Sequence, residues 1–224
     1  MIRGVLFDLD ETLLDRTRSL NRFLHGQYAR FQAAFQHVAP ETFEQRFCEL
    51  DQRGYVHKSQ VYSTLLTEWK INGLTTEQLL ADYRTSFSDH VEGNACWHAV
   101  LIELRKRGYQ IGIITNGETA FQMANMRTMG MHSLVDHILI SEQEQVRKPD
   151  PMLFQRGAQR LALSEEECLF VGDHPYNDIQ GARQVGMKTA WFQNGLDWPA
   201  ELARADVEID KLADLLSMLD QPSW

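Results

Sequence analysis

The chain has 224 residues, 43% hydrophobic and 24% charged, enough for one large domain or a domain carrying a substantial insert. A formal net charge of -9 disfavours nucleic acid and anionic membranes as partners; an anionic small molecule would need local help from amides, a lysine or a metal ion. Three scattered cysteines with no CxxC pair, no signal-peptide pattern and no apolar run of membrane-spanning length lead us to expect a soluble cytoplasmic protein with reduced thiols.

In chain order, Val5–Leu9 reads as a short buried strand. Helical periodicity then runs from about Thr17 to His90, with Leu20, Phe23, Leu24, Tyr28, Phe31, Phe35 and Val38 on one face. Pro40 fits the start of a second helix that reaches about Arg53. Ser59–Ile71 and Thr75–His90 read as two more, separated by "NGL". From Asn94 the texture alternates. A helix stopping at Gly108 leads into the strand "QIGIITNG", and a helix closed by Gly130 leads into the strand "HILIS". "PDPMLFQRGAQRLAL" is a helix, and "SEEECLFVGD" becomes a strand after a capping Ser164. The helix "IQGARQVGM", the strand "KTAWFQNG" and the helix "KLADLLSMLD" complete the pattern. Short, apolar, β-branched strands alternating with helices predict an α/β fold with a parallel sheet covered on both faces. An all-helical insert follows the first strand.

Ligands of such sheets bind beyond the carboxyl ends of the strands. The first strand delivers Asp8, Asp10 and Thr12; the second delivers Thr115 and Asn116. The loop after the third carries Lys148, and the fourth leads to Asp173, Asn177 and Asp178. Each of these residues, taken alone, is an ordinary turn, cap or solvated side chain. Together they put several carboxylates into one site, where mutual repulsion calls for a hard divalent cation such as Mg²⁺. Thr115, Asn116 and Lys148 are donors suited to phosphoryl oxygens, and a carboxylate beside a cation can attack phosphorus.

In order, "DLDET" (8–12), "ITNG" (114–117), "KPDP" (148–151) and "VGDHPYND" (171–178) resemble the four motifs of the haloacid dehalogenase (HAD) superfamily, subfamily I type, over essentially the whole chain. The resemblance implies a Rossmann-like core over residues 1–16 and 91–224 and a helical cap over 17–90 that gates the site. It implies Asp8 as nucleophile and magnesium ligand, and Asp10 as general acid/base with a ligating backbone carbonyl. Asp173 becomes the third ligand, and Asp178 a water-mediated ligand or a holder of Lys148. Thr115 and Asn116 become phosphoryl binders, Lys148 the neutralising cation, and Thr12 a support for the Asp10 loop. The implied activity is Mg²⁺-dependent hydrolysis of a small phosphate monoester, with nucleoside monophosphate, phosphoglycolate or sugar phosphate as candidates. A phosphomutase, a 2-haloacid dehalogenase and a phosphoacceptor signalling domain are the alternatives; Asp10 argues against the dehalogenase, and the helical insert against the signalling domain. Glu11 and Asp15 read as solvated or structural, His174 as a loop residue. "DQRGYVHKS" (51–59) reads as an interhelical loop, or as a specificity loop carrying Arg53, Tyr55, His57 and Lys58.

Overall fold

A computed structural model describes residues 1–221 and 224. The chain forms two compact units: Met1–Asp15 with Gly93–Trp224, and Arg16–Glu92.

The first unit is built on six parallel strands: β1 (Gly4–Phe7), β2 (Gln110–Thr115), β3 (His137–Ile140), β4 (Cys168–Gly172), β5 (Lys188–Phe192) and β6 (Val207–Ile209). Their spatial order is β3-β2-β1-β4-β5-β6. Leaving β1, the chain builds outward in one direction through β2 and β3, then returns to β4 and builds in the other. The reversal therefore falls between β1 and β4, where such sheets open a crevice at their carboxyl ends. Register sets Phe7 opposite Val171, so the segments that follow both strands leave the sheet side by side.

Every residue of β1 and of β4 is buried. Leu6 shares a cluster with Ile114, Phe154, Ala158 and Phe170, whereas Val5 and Phe7, pointing to the opposite face, are equally inaccessible. Both faces are therefore covered, and each fully buried Leu or Phe contributes roughly 1.5–3 kcal/mol. Five helices of the first unit are Trp97–Lys106, Thr119–Thr128, Pro151–Arg160, Gly181–Gln184 and Asp214–Leu219. In the third, Asp150 accepts from the backbone N–H of Met152 at 2.9 Å and Pro151 occupies the first turn, a strong start signal. Gly157 lets that helix lie against the sheet, since a Cβ there would stand 2.6 Å from Ile114 Cδ1. Ser164 caps the approach to β4 in a reciprocal box with Glu167, as its position in the sequence predicts. Two features were not anticipated: β6, only three residues long, and a four-residue helix at Ser141–Glu144.

The second unit holds helices Arg16–Arg30, Pro40–Asp51, Lys58–Glu68 and Thr76–Ser86. The apolar face expected to continue to Val38 is instead folded back by tight turns after Arg30, with Ala34 bonded to Phe31 and Val38 to Phe35. Phe35 remains fully buried, packed 4.8 Å from the Phe43 ring. Arg16, Val91 and Glu92 sit with the helices, not with the sheet as the boundaries at residues 17 and 90 would have them. The reason is local: Arg16 binds the buried Asp51 at 2.9 Å, and Glu92 accepts from both Arg18 and Arg22. Lys58 also pairs with Asp51, His57 caps its helix through Ser59, and Tyr55 is exposed. Among the described residues, no helix is long and apolar enough to cross a membrane.

Candidate active site

The carboxyl ends of β1, β2 and β4 and the loop after β3 bring the expected residues together. Asp8 follows β1 directly, and its N–H donates to Val171 O of β4 at 2.9 Å, extending the ladder by one residue. Lys148 Nζ donates to Asp8 Oδ1 at 2.5 Å and to Asp178 Oδ1 at 2.6 Å. All three groups are buried. Carboxylate oxygens of Asp8, Asp173 and Asp178 lie within 4.8 Å of one another.

Burial raises the Asp8 carboxyl from its ordinary 3.8 to about 7; Lys148 opposes the rise and Asp178 adds to it. Burial also works against the charge on Lys148, but Asp178 and Asp8 outweigh it and hold the ammonium above its ordinary range. Three carboxylates against one ammonium are short of positive charge, and the group offers hard oxygen atoms only. A divalent cation of the magnesium type fits that deficit and that donor set. Asp8 and Asp173 are the carboxylates best able to hold it. Asp178 is committed elsewhere: its Oδ1 serves Lys148 and its Oδ2 accepts from His174 N at 3.0 Å. Of the two roles open to Asp178, the geometry favours the holder of Lys148.

The turn after β4 is what brings Asp178 back. Residues Pro175–Gln180 form a π-helical turn, a wider coil often found at functional sites. His174 opens it by accepting from the N–H groups of Tyr176 and Asn177, so this histidine is a cap and not a base. Gly172 makes the approach possible, because a Cβ there would lie 2.5 Å from Asp178 Oδ2. The indole of Trp191 donates to Asp173 O at 2.6 Å, fixing the backbone beneath the third carboxylate.

Three further side chains shape the surroundings of these groups. Asn116, expected to bind a phosphoryl group, spans the Lys148 peptide: its Nδ2 donates to Lys148 O at 3.1 Å and its Oδ1 accepts from Lys148 N at 2.9 Å. Its side chain aims the lysine from both ends of the amide, and the second N–H of Nδ2 is not used in that pairing. Glu11 is buried, with φ +63°, and both its backbone and its carboxylate accept from Asn194 Nδ2. Thr12 is fully buried with its hydroxyl 3.5 Å from Asp8 Oδ2, near the outer limit for a hydrogen bond, so it steadies the turn mainly by packing.

Asp10 is half-buried, and Thr115 is buried at the end of β2. Between them lies a residue that no motif marked. Gln122 Nε2 donates to Asp10 Oδ2 at 2.6 Å and stands 3.1 Å from Thr115 Oγ1. Gln122 occupies the first turn of the Thr119–Thr128 helix. A buried amide at that place is visible in the sequence only as one polar position on an otherwise mixed helix face.

The family model for haloacid dehalogenase-like hydrolases matches residues 5–192. A glyceraldehyde 3-phosphate phosphatase of Pyrococcus abyssi is 33% identical, over 98% of this chain and 94% of its own length. The pyrophosphatase PpaX of Bacillus cereus is 28% identical, over 97% of this chain and 96% of its own. Among solved structures, the HAD-hydrolase YfnB of Bacillus subtilis, bound to magnesium, aligns with a TM-score of 0.76 at 22% identity, covering 98% of this chain and 99% of that one. This last likeness is one of fold. With the four motifs brought to one sheet edge and the family match running from β1 to the end of β5, the chain belongs to the haloacid dehalogenase-like hydrolases.

Proposed function

We propose that the chain is a Mg²⁺-dependent phosphohydrolase of small phosphate monoesters, working through an aspartyl phosphate on Asp8. The observation that carries this reading is the buried Asp8 carboxylate held at 2.5 Å by Lys148, beside Asp173. Asp8 attacks phosphorus while the bond from phosphorus to the leaving oxygen breaks. Asp10 gives that oxygen its proton, then takes one from the water that attacks the phosphoenzyme, returning Asp8 and inorganic phosphate. Lys148 and the Thr115 hydroxyl serve the phosphoryl oxygens, and Asn116 and Asp178 hold the lysine at that duty. Asp8, Asp173 and the backbone carbonyl of Asp10 would hold Mg²⁺, which when bound supplies positive charge to the phosphoryl group.

The relatives support an order in which to try substrates. A glyceraldehyde 3-phosphate phosphatase at 33% identity favours a short, phosphorylated carbon chain, and the PpaX relative makes a phosphoanhydride the second class to try. Phosphate release from an aryl phosphate, with magnesium and with chelator, tests the chemistry. Release should require Mg²⁺ and fall by at least about 10³-fold in Asp8→Asn. Activity that ignores both changes would end this reading. A panel of triose phosphates, phosphoglycolate, sugar phosphates, nucleoside monophosphates and pyrophosphate then ranks substrates by kcat/KM. A sugar-phosphate isomer formed without net phosphate release would move the reading to a mutase.

A further inference from the structure

Gln122 presents one amide nitrogen to three acceptors: Asp10 Oδ2 at 2.6 Å, Thr115 Oγ1 at 3.1 Å and Asn116 O at 3.2 Å. Its two N–H groups cannot serve three acceptors equally. The short bond to a carboxylate takes one, and the Thr115 oxygen and the Asn116 carbonyl share the other. On the far side, the fully buried Asn125 donates from Nδ2 to Gln122 Oε1 at 3.2 Å. Turning the Gln122 amide over would lose that bond and press Oε1 against the Asp10 carboxylate. The turn after β2 closes over this amide: Gly117, at φ +148°, leaves only 3.0 Å between a notional Cβ and Gln122 Cγ.

We infer that Gln122 is a positioning residue for the reaction, setting which oxygen of Asp10 exchanges the proton and making the Thr115 hydroxyl a donor toward the phosphoryl group. The inference rests on the phosphohydrolase reading. Because Oδ2 accepts from the amide, a proton on Oδ2 would face another donor, and so the exchangeable proton resides on Oδ1. In the first half-reaction the Asp10 Oδ1–H bond breaks as the leaving oxygen takes the proton, the phosphorus–oxygen bond to that group breaks, and the bond from Asp8 to phosphorus forms. Thr115 accepts from Gln122, which frees its single proton to leave its long 3.3 Å contact with Asn116 O for a phosphoryl oxygen. Asn125 keeps the amide in the orientation that does both.

The test exploits the leaving group. An aryl oxide departs without a proton, whereas an alkoxide needs one, and kcat/KM reports steps only through its departure. In the full chain with Mg²⁺, Gln122→Met keeps the volume and removes the amide; Gln122→Asn keeps an amide too short to reach Asp10. For each variant, kcat/KM should fall about 100-fold or more on alkyl phosphates and less than about 10-fold on aryl phosphates. Equal losses on both ester classes, or no loss on either, would overturn the inference. Because the short amide preserves polarity in the buried pocket, Gln122→Asn decides the matter if Gln122→Met does not fold. A native chain that releases no phosphate from either ester class overturns the phosphohydrolase reading itself, and this inference with it.

Discussion

Asp8 is a carboxyl that the fold would rather keep protonated until a second cation joins Lys148. Its value of about 7 in the folded chain, against an ordinary 3.8, means that the folded state binds the extra proton between those limits. Stability therefore falls as pH rises from about 4 to about 7, because the burial of Asp8 outweighs its ion pair with Lys148. In chelator, the melting temperature of the native chain should decline relative to Asp8→Asn across that window, and saturating Mg²⁺ should remove the decline. Parallel curves for the two proteins would show that Asp8 carries no such burden. Asp8 and Asp173 were legible from the sequence because each stands in a short motif at a strand end, and Lys148 because of its own short motif in the loop after β3. Of the two readings open to Glu11, the structural one holds, but its partner Asn194 lies far along the chain and outside any motif. Asn116 was half legible: its presence followed from the motif, but its attachment to the Lys148 peptide depends on how two loops meet.

At the scale of elements, the π-helical turn after β4 makes the site depend on a glycine. In Gly172→Ala the added methyl would meet Asp178 Oδ2 at 2.5 Å, so the Asp178 carboxylate must move and Lys148 loses its second anchor. Since displacements of about 1 Å cost catalysis about 100-fold, kcat on an aryl phosphate should fall by that order while the strands stay intact by circular dichroism. An unchanged kcat would mean that Lys148 needs no support from this turn. The strands were readable because apolar runs of four to six residues between turn signals have few other structures open to them. β6 escaped because three residues carry too little pattern, and its placement is fixed by pairing with β5. The turns at residues 31–38 escaped because their apolar residues keep helical spacing while the backbone does not.

For the whole molecule, one of the two middle strands of the sheet is also its first in sequence. β1 is flanked by β2, which begins at Gln110, and by β4, which begins at Cys168. The Arg16–Glu92 unit, by contrast, is one continuous stretch, so its contacts close less chain than the pairing of β1 with β2 or β4. Local contacts form faster than distant ones, because less chain must be closed to make them. Variants that keep a single tryptophan can follow the two units separately. Trp69, packed against Phe35 and Phe43, should regain its native fluorescence on refolding before Trp191, which is buried on β5. Simultaneous recovery would show that the two units fold as one.

The same arrangement has a consequence during synthesis. As the chain leaves the ribosome, β1 emerges as a bare apolar ribbon with neither neighbour yet made, and the β4 side of it stays open until residue 168 and beyond has followed. For most of that interval the Asp8 end of the ribbon lacks Lys148, and to its close it lacks Asp173. Asp8 is thus the earliest part of the candidate site to exist and among the last to gain its partners, so a ribosome-bound nascent chain stopped before β4 carries this carboxyl without the surroundings that bury and pair it.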